Sequence, residues 1–374
     1  MLVKRNIYFF AKVGALDKLP YGGGEVGNRR TMQMLREIGY EVVLIDRYYN
    51  YDRKNLLTYM KIIAGDIVSV MRFCLIIGFG TRKDTVVHIS GFTGQYMPLE
   101  FLSIVLAKLF GYKVTYEIRG GGIIGFYNNG GLFYKYLFTT AVKLADTVFS
   151  QGFENKTLIG NVCNTKFFYY PNCVAHEFIP KRCPIKSETC INLLYIGRVS
   201  PVKNVNVVVS CLYELLNMGF NARLDVIGDS EDCPGYMEIL KQYVLDNNID
   251  EKCIFHGKLS KEKMKPFLSD ATFFLFPTQE KREGQSNSLT ETMGFGIIPI
   301  ASSQGYNRAI IGQDELIEDN LSPLAYANRV ASIWLSGQVW SLSTSMYDRV
   351  LQNFTYTKIK ESVTDEYSRI FSTF

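Results

Sequence analysis

Eleven short runs of β-branched and aromatic residues recur along this 374-residue chain, with segments of helical character between them. In the first half they read NIYFFA (6–11), EVVLID (41–46), TVVHIS (85–90), KVTYEI (113–118), TVFS (147–150) and KFFYY (166–170). In the second half they read INLLYIG (191–197), RLDVIG (223–228), CIFHG (253–257), TFFLFP (272–277) and IIPIAS (297–302). Helical stretches such as EVGNRRTMQMLREIG and LEFLSIVLAKLFG close on glycine, the residue best suited to a left-handed helix end. Such alternation builds parallel sheets covered by helices on both faces. The chain is too long for one ordinary domain, and eleven strands divide more naturally into two sheets than one. The expected fold class is therefore α/β, with two Rossmann-like domains. Three prolines and several polar residues break the rhythm in YPNCVAHEFIPKRCPIKSETC (170–190). This places an N-terminal domain at 1–175 and a C-terminal domain at 176–355, with a last helix over 356–374 packing back on the first.

Composition removes several classes. With 47% hydrophobic and 21% charged residues, the chain reads as a soluble globular protein. Eight cysteines without a C-x-x-C pair, and only three histidines, argue against a zinc site and for reduced thiols in a cytoplasmic protein. The start, MLVKRNIYFFAK, lacks the apolar core and cleavage site of a signal peptide. The most apolar window, Ile62 to Gly80, is interrupted by Asp66 and Arg72, so no membrane-spanning helix is expected. The net charge of +5 is modest, but segment 53–83 carries Arg53, Lys54, Lys61, Arg72, Arg82 and Lys83 against Asp66 alone. Apolar residues such as Leu56, Ile63 and Met71 lie between these charges. A basic, apolar helix could rest on an anionic membrane surface; a core helix with solvated ends has the same pattern.

Open parallel sheets bind ligands beyond the carboxyl ends of their strands, and the unusual residues map there. YGGGEVGN (21–28) follows the first run and RGGGIIGF (119–126) the fourth. GRVSPVKN (197–204) and GDSEDCPG (228–235) follow the first two runs of the second half. In GRVSPVKN, Gly197 permits a close turn, Arg198 offers a planar fork for a diphosphate, and Lys203 sits where a helix begins. The same pair would also serve as solvated charges on a βα loop. Gly22, Gly23 and Gly24 fit a close approach of backbone to ligand. Asp46, closing the second run, keeps a nicotinamide-dependent oxidoreductase as a rival, although the loop KVGALDKLPY is too long for that cofactor's fingerprint. After TFFLFP comes EGQSNSLTE, two carboxylates eight positions apart around small polar residues. Gly284, Gln285 and Ser286 would form a turn, with a helix from Asn287 and Ser288 to Met293. Glu283 would then stay in the loop and Glu291 would lie one turn into the helix. Phosphates at the helix start, with hydroxyls on either acid, would suit a nucleotide sugar.

Together these segments resemble the GT-B glycosyltransferases, and more closely glycosyltransferase family 4. GRVSPVKN is similar to the family's Gly-Arg…Lys signature, LDVIGD to its Gly-Asp strand end, and FHGKLS (255–260) to its base-holding turn. EGQSNSLTETMGFGIIPIASSQG resembles its E-x7-E signature, and YPNCV its interdomain Pro-Asn-Gly-Val, with Cys173 at the usual glycine. The resemblance implies two Rossmann-like domains facing across a deep cleft. It further implies retaining transfer of a sugar from a UDP- or GDP-linked donor, without a metal or other cofactor. Arg198 and Lys203 would stabilise the departing diphosphate, Glu283 would contact the donor sugar and Glu291 the ribose. Gly228, Asp229, Gly257, Lys258 and Leu259 would complete the donor side. Family members often carry a histidine after the fourth strand; here TYEIRGGG places Glu117, Arg119, Gly120 and Gly121 there, and His88 on the third run. These five are the acceptor-side candidates. The implied partners are a nucleotide sugar, a glycan or lipid-linked glycan acceptor and an anionic membrane surface through 53–83, with no nucleic acid. The implied location is the cytoplasm, peripheral on the inner face of its membrane. A non-catalytic partner subunit of the same fold is a further alternative.

Overall fold

A computed structural model describes residues 5–18, 23–47, 56–91, 94–162, 165–231 and 233–374. Gly22, Arg53 and Lys54 lie outside the described residues. The chain divides into two compact units: Met1–Asn172 with Ile359–Phe374, and Cys173–Lys358. The eleven runs all form strands: β1 Asn6–Ala11, β2 Glu41–Asp46, β3 Thr85–Gly91, β4 Lys113–Ile118, β5 Thr147–Ser150, β6 Phe167–Tyr169, β7 Ile191–Ile196, β8 Ala222–Ile227, β9 Cys253–Gly257, β10 Phe273–Phe276 and β11 Ile298–Ala301. The first six make one sheet in the order β2-β1-β3-β4-β5-β6, and the rest a second in the order β11-β10-β7-β8-β9. Pairing is parallel throughout both sheets.

Alternation along the strands of the first unit sorts its core into two layers. Tyr8, Phe10, Val87, Ile89 and Tyr116 point to one side, where they share a cluster with Phe73 and Ile77, Ile104 and Ala107, and Phe138. Those last residues come from three helices, Leu56–Phe79, Met97–Leu109 and Leu132–Leu144. Asp66 and Arg72 interrupt the apolar window Ile62 to Gly80 and led to the expectation of no membrane-spanning helix. Both lie within helix Leu56–Phe79, with a carboxylate oxygen of Asp66 buried and Arg72 exposed. By length and composition its Met60–Phe79 stretch is apolar enough to cross a membrane.

The other side of the same sheet is aromatic and polar. Phe9 and Phe149 lie edge-on to His88, with ring centroids 5.1 and 5.5 Å away. The final helix, Tyr356–Phe371, brings Tyr367 here, and its hydroxyl bonds His88 Nδ1 at 2.5 Å. The other ring nitrogen, Nε2, bonds Glu117 Oε2 at 2.9 Å, and Arg119 Nη2 meets Glu117 Oε1 at 2.6 Å. Arg119 also donates to Thr31 Oγ1 at 2.5 Å, and Thr31 bonds the Tyr170 hydroxyl at 2.8 Å. His88, Glu117 and Arg119 are thus interior groups that tie the last helix and helix Gly23–Ile38 to the sheet. Burial by itself would raise the Glu117 pKa, but the Arg119 charge and the His88 contact outweigh it and hold it below the usual value.

A carboxylate with a depressed folded-state pKa stabilises the protein above its unfolded value, and that contribution is lost as pH falls through the folded value. Glu117→Gln should therefore cost roughly 3 kcal/mol at neutral pH, where it leaves Arg119 unpaired. The gap to wild type should begin to narrow as the pH falls through the ordinary carboxylate value of about 4.3, and should close only once it has passed the still lower folded value. Urea denaturation at several pH values checks this; a gap independent of pH would contradict it.

Candidate nucleotide-binding site

Because β7 to β11 are all parallel, the loops that follow them leave from one edge of the second sheet. Three of these loops are laced together by backbone. Gly197 N–H donates to Ile227 O at 3.0 Å, Val199 N–H to Asp229 O at 2.7 Å, and Gly228 N–H to Gly257 O at 2.9 Å. The approach is so close that a Cβ on Gly228, whose φ is +147°, would lie 1.8 Å from Gly197 O. Buried Tyr195 supports the first loop from beneath, donating to Arg198 O at 2.7 Å.

Beyond Arg198 the chain enters a 3-10 turn, Pro201–Lys203, then Asn204 in left-handed geometry, and only then helix Val205–Asn217. Lys203 therefore stands two residues ahead of the helix rather than on its first residues. Two bonds clamp this turn to the loop after β10: Asn204 Nδ2 to Pro277 O at 2.7 Å, and Gln279 N–H to Val202 O at 2.8 Å. The clamp brings Lys203, 7% exposed, against the Glu283 carboxylate and 5.5 Å from the Phe276 ring centroid. Thr278 Oγ1 donates to the same carboxylate oxygen at 3.4 Å. Arg198 is half exposed, and its Nη2 lies 3.6 Å from Glu280 Oε2.

The helix expected after EGQS is present as Asn287–Met293. Ser286 caps it, with Oγ accepting from Leu289 N–H at 3.5 Å and bonding Ser288 Oγ at 2.9 Å. Buried Gln285 donates to Thr290 Oγ1 at 3.1 Å. The turn leans on Gly305, where φ is +67° and a Cβ would meet Glu283 O at 2.7 Å. Glu291 pairs with Lys261 Nζ at 2.7 Å, and Asp229 with Lys258 Nζ at 3.8 Å. Glu280, Lys261, Phe276 and Gly305 were not singled out from the sequence. Of these, only Gly305 lay within a stretch already read as a signature.

The structure thus gathers Arg198, Lys203, Glu283 and the loops holding Gly197, Gly228, Asp229, Gly257, Lys258 and Leu259 at one sheet edge. Its chemistry alternates cations with acids, so it can take a diphosphate and polyhydroxyl groups together. Gly23, Gly24, His88, Glu117, Arg119, Gly120 and Gly121 belong to the other unit. There Gly23 and Gly24 open helix Gly23–Ile38, Gly120 has φ +91°, and Asp46 Oδ1 accepts the Val13 N–H at 3.0 Å. Among the described residues no group of three His, Cys, Asp or Glu side chains is placed to hold a metal ion.

Comparison with known proteins falls on the same region. Residues 190–335 match the model of the family described as Glycosyl transferases group 1. Protein CapJ of Staphylococcus aureus is 26% identical over 231 residues, covering 59% of this chain and 56% of that protein. A lipopolysaccharide 1,2-N-acetylglucosaminetransferase of Salmonella typhimurium is 28% identical over 149 residues, covering 39% of this chain and 37% of that protein. The chain therefore spans about half or less of the length of these relatives. Among solved structures, a sucrose-phosphate synthase from Thermosynechococcus elongatus has a TM-score of 0.74 at 14% identity, covering 99% of this chain and 100% of that one. The Anabaena protein HepE in complex with UDP has a TM-score of 0.69 at 10% identity, covering 98% and 100%. These likenesses establish the fold, two parallel-sheet α/β units of the GT-B glycosyltransferase type.

The backbone lacing yields a stability test. Gly228→Ala must push the β7 and β8 loops apart and should cost about 3 kcal/mol or more. Gly235→Ala, with nothing within 4 Å of its added Cβ and a helical position, should be neutral or stabilising by about 0.5 kcal/mol. Denaturant titration of the two variants measures the contrast, and equal effects would contradict the account.

Proposed function

We propose that the chain is a retaining glycosyltransferase using a UDP- or GDP-linked sugar donor, with a glycan, in particular a lipid-linked oligosaccharide of a bacterial surface polysaccharide, as acceptor. The observation that carries this reading is the Lys203–Glu283 pair, set beside Arg198 at one sheet edge inside the segment matching the glycosyltransferase family. UDP in the complex of HepE, and the lipopolysaccharide named for the Salmonella relative, support the donor and acceptor classes.

On this reading Arg198 and Lys203 bind the donor diphosphate, displacing the Glu280 and Glu283 carboxylates that face them. Glu283, freed from Lys203, accepts hydroxyls of the donor sugar, and Glu291 those of the ribose. The bond from the anomeric carbon to the diphosphate oxygen breaks, and both electrons leave with the diphosphate. The acceptor oxygen bonds the same carbon from the same face and passes its proton to the departing phosphate. Positive charge builds on the sugar ring meanwhile, as in other oxocarbenium-like transition states. The two cations stabilise the leaving group electrostatically, so the scheme needs no protein nucleophile and no metal ion. A nucleotide-sugar donor supports the expected cytoplasmic location.

Thermal shift with UDP, GDP and their sugars should single out one nucleotide, since a bound ligand raises apparent stability by mass action. With that donor, Lys203→Ala should lower transfer about 100-fold or more without unfolding the protein. NMR of the product should show the donor's anomeric configuration, and transfer should survive a chelator. Unimpaired transfer by a Lys203→Ala, Glu283→Ala double variant would sink the reading. So would enhanced NAD(P)H fluorescence with no response to either nucleotide.

A further inference from the structure

We propose that helix Leu56–Phe79 seats the protein on an anionic phospholipid bilayer, lying in the membrane plane with its outer face among the acyl chains. The helix is anchored on one side only. Ser69, Phe73 and Ile77 are buried against the unit, and Tyr112 donates its hydroxyl to Ile77 O at 2.8 Å. On the other side Met60, Ile63, Ile67, Met71 and Leu75 are each more than half exposed, and Phe79 is 89% exposed. Their spacing of three and four residues makes one continuous apolar stripe, about 28 Å long at 1.5 Å per residue. An uncovered apolar face of this extent is rare on a soluble monomer and marks an interaction surface.

Charge selects the occupant. Lys61 and Arg72 are exposed on the helix, and Arg82 and Lys83 are exposed just beyond its end. The helix contains one acid, Asp66, whose Oδ1 is buried. A second copy docked on this face would set Lys61 and Arg72 against like charges, with Asp66 as the one acid of the helix and that acid partly buried. Anionic headgroups complement the cations while acyl chains cover the stripe. The neighbouring helices Met97–Leu109 and Leu132–Leu144 share the same buried cluster and so lie on the same side of the sheet. They expose Leu109 by 78%, Leu132 by 88% and Phe133 by 71%.

Topology excludes the other membrane geometry. This helix is the crossover between β2 and β3, and both strands hydrogen-bond to β1, in parallel with it. A spanning helix would put β2 and β3 on opposite sides of the bilayer and tear that sheet apart. The stripe therefore enters only the near leaflet, to a depth of about 5–10 Å.

The full chain should float with phosphatidylglycerol–phosphatidylcholine vesicles at low salt. The Met71→Glu, Leu75→Glu pair should reduce this by about tenfold or more, and Lys61→Glu with Arg72→Glu should reduce it most at low salt. Ile185→Glu, an exposed apolar position in the other unit, should change nothing. With Trp334 and Trp340 replaced by phenylalanine, single tryptophans at positions 63, 67, 71 and 75 should be quenched to similar, shallow extents by brominated lipids. Absence of flotation, or quenching that deepens toward the middle of the helix, would overturn the proposal. So would a dimer that the Met71→Glu, Leu75→Glu pair dissociates without any vesicle binding. Nucleotide binding by the same variants reports separately on the transferase reading, on which this inference does not depend.

Discussion

Parallel pairing is the constraint on which the rest of this molecule depends. A parallel strand cannot return through a tight turn, so each connection crosses a face of the sheet and every strand delivers its carboxyl end to the same edge. In the second unit this collects residues from Gly197 to Gly305 at one rim, from loops that lie far apart in sequence. The rim is held by main-chain hydrogen bonds between the loops after β7, β8 and β9, so its geometry depends little on the mobile ends of side chains. Only the absence of a side chain at Gly228 lets those loops approach so closely.

Within that rim, charge is balanced pairwise: Lys203 with Glu283, Arg198 with Glu280, Lys258 with Asp229, Lys261 with Glu291. The pairs differ in worth. Lys203 and Glu283 are both nearly buried, where an unpaired charge is costly, whereas Lys258 and Lys261 are largely exposed and add little stability. An anionic ligand that takes over from the Glu283 carboxylate leaves Lys203 compensated throughout, so entry of the ligand does not strand a buried cation.

Much of this was legible in the sequence because it is local. The eleven strands follow from β-branched runs, and helix Asn287–Met293 from the polar turn before it and the glycine after it. What was not legible depends on the third dimension. Lys203 and Glu283 are 80 positions apart, and nothing in either segment names the other. Lys203 was expected at the start of the helix and stands two residues ahead of it, because Asn204 takes a left-handed conformation and the helix starts only at Val205. His88, Glu117 and Arg119 look like site residues in a list of polar side chains. They are interior because their face of the sheet is covered by a helix more than 230 residues further along the chain. The one-sided exposure of Leu56–Phe79 likewise follows from what packs against it, and its composition alone fits a core helix equally well.

The return of residues 359–374 to the first unit makes that unit discontinuous, while the second is built from one uninterrupted stretch. Emerging from the ribosome, the first sheet would have to wait, its aromatic side uncovered, while the entire second unit is synthesised. The later half of the molecule can therefore complete its core before the earlier half does. The Tyr367–His88 contact, between residues 279 positions apart, can form only after the whole second unit has been made.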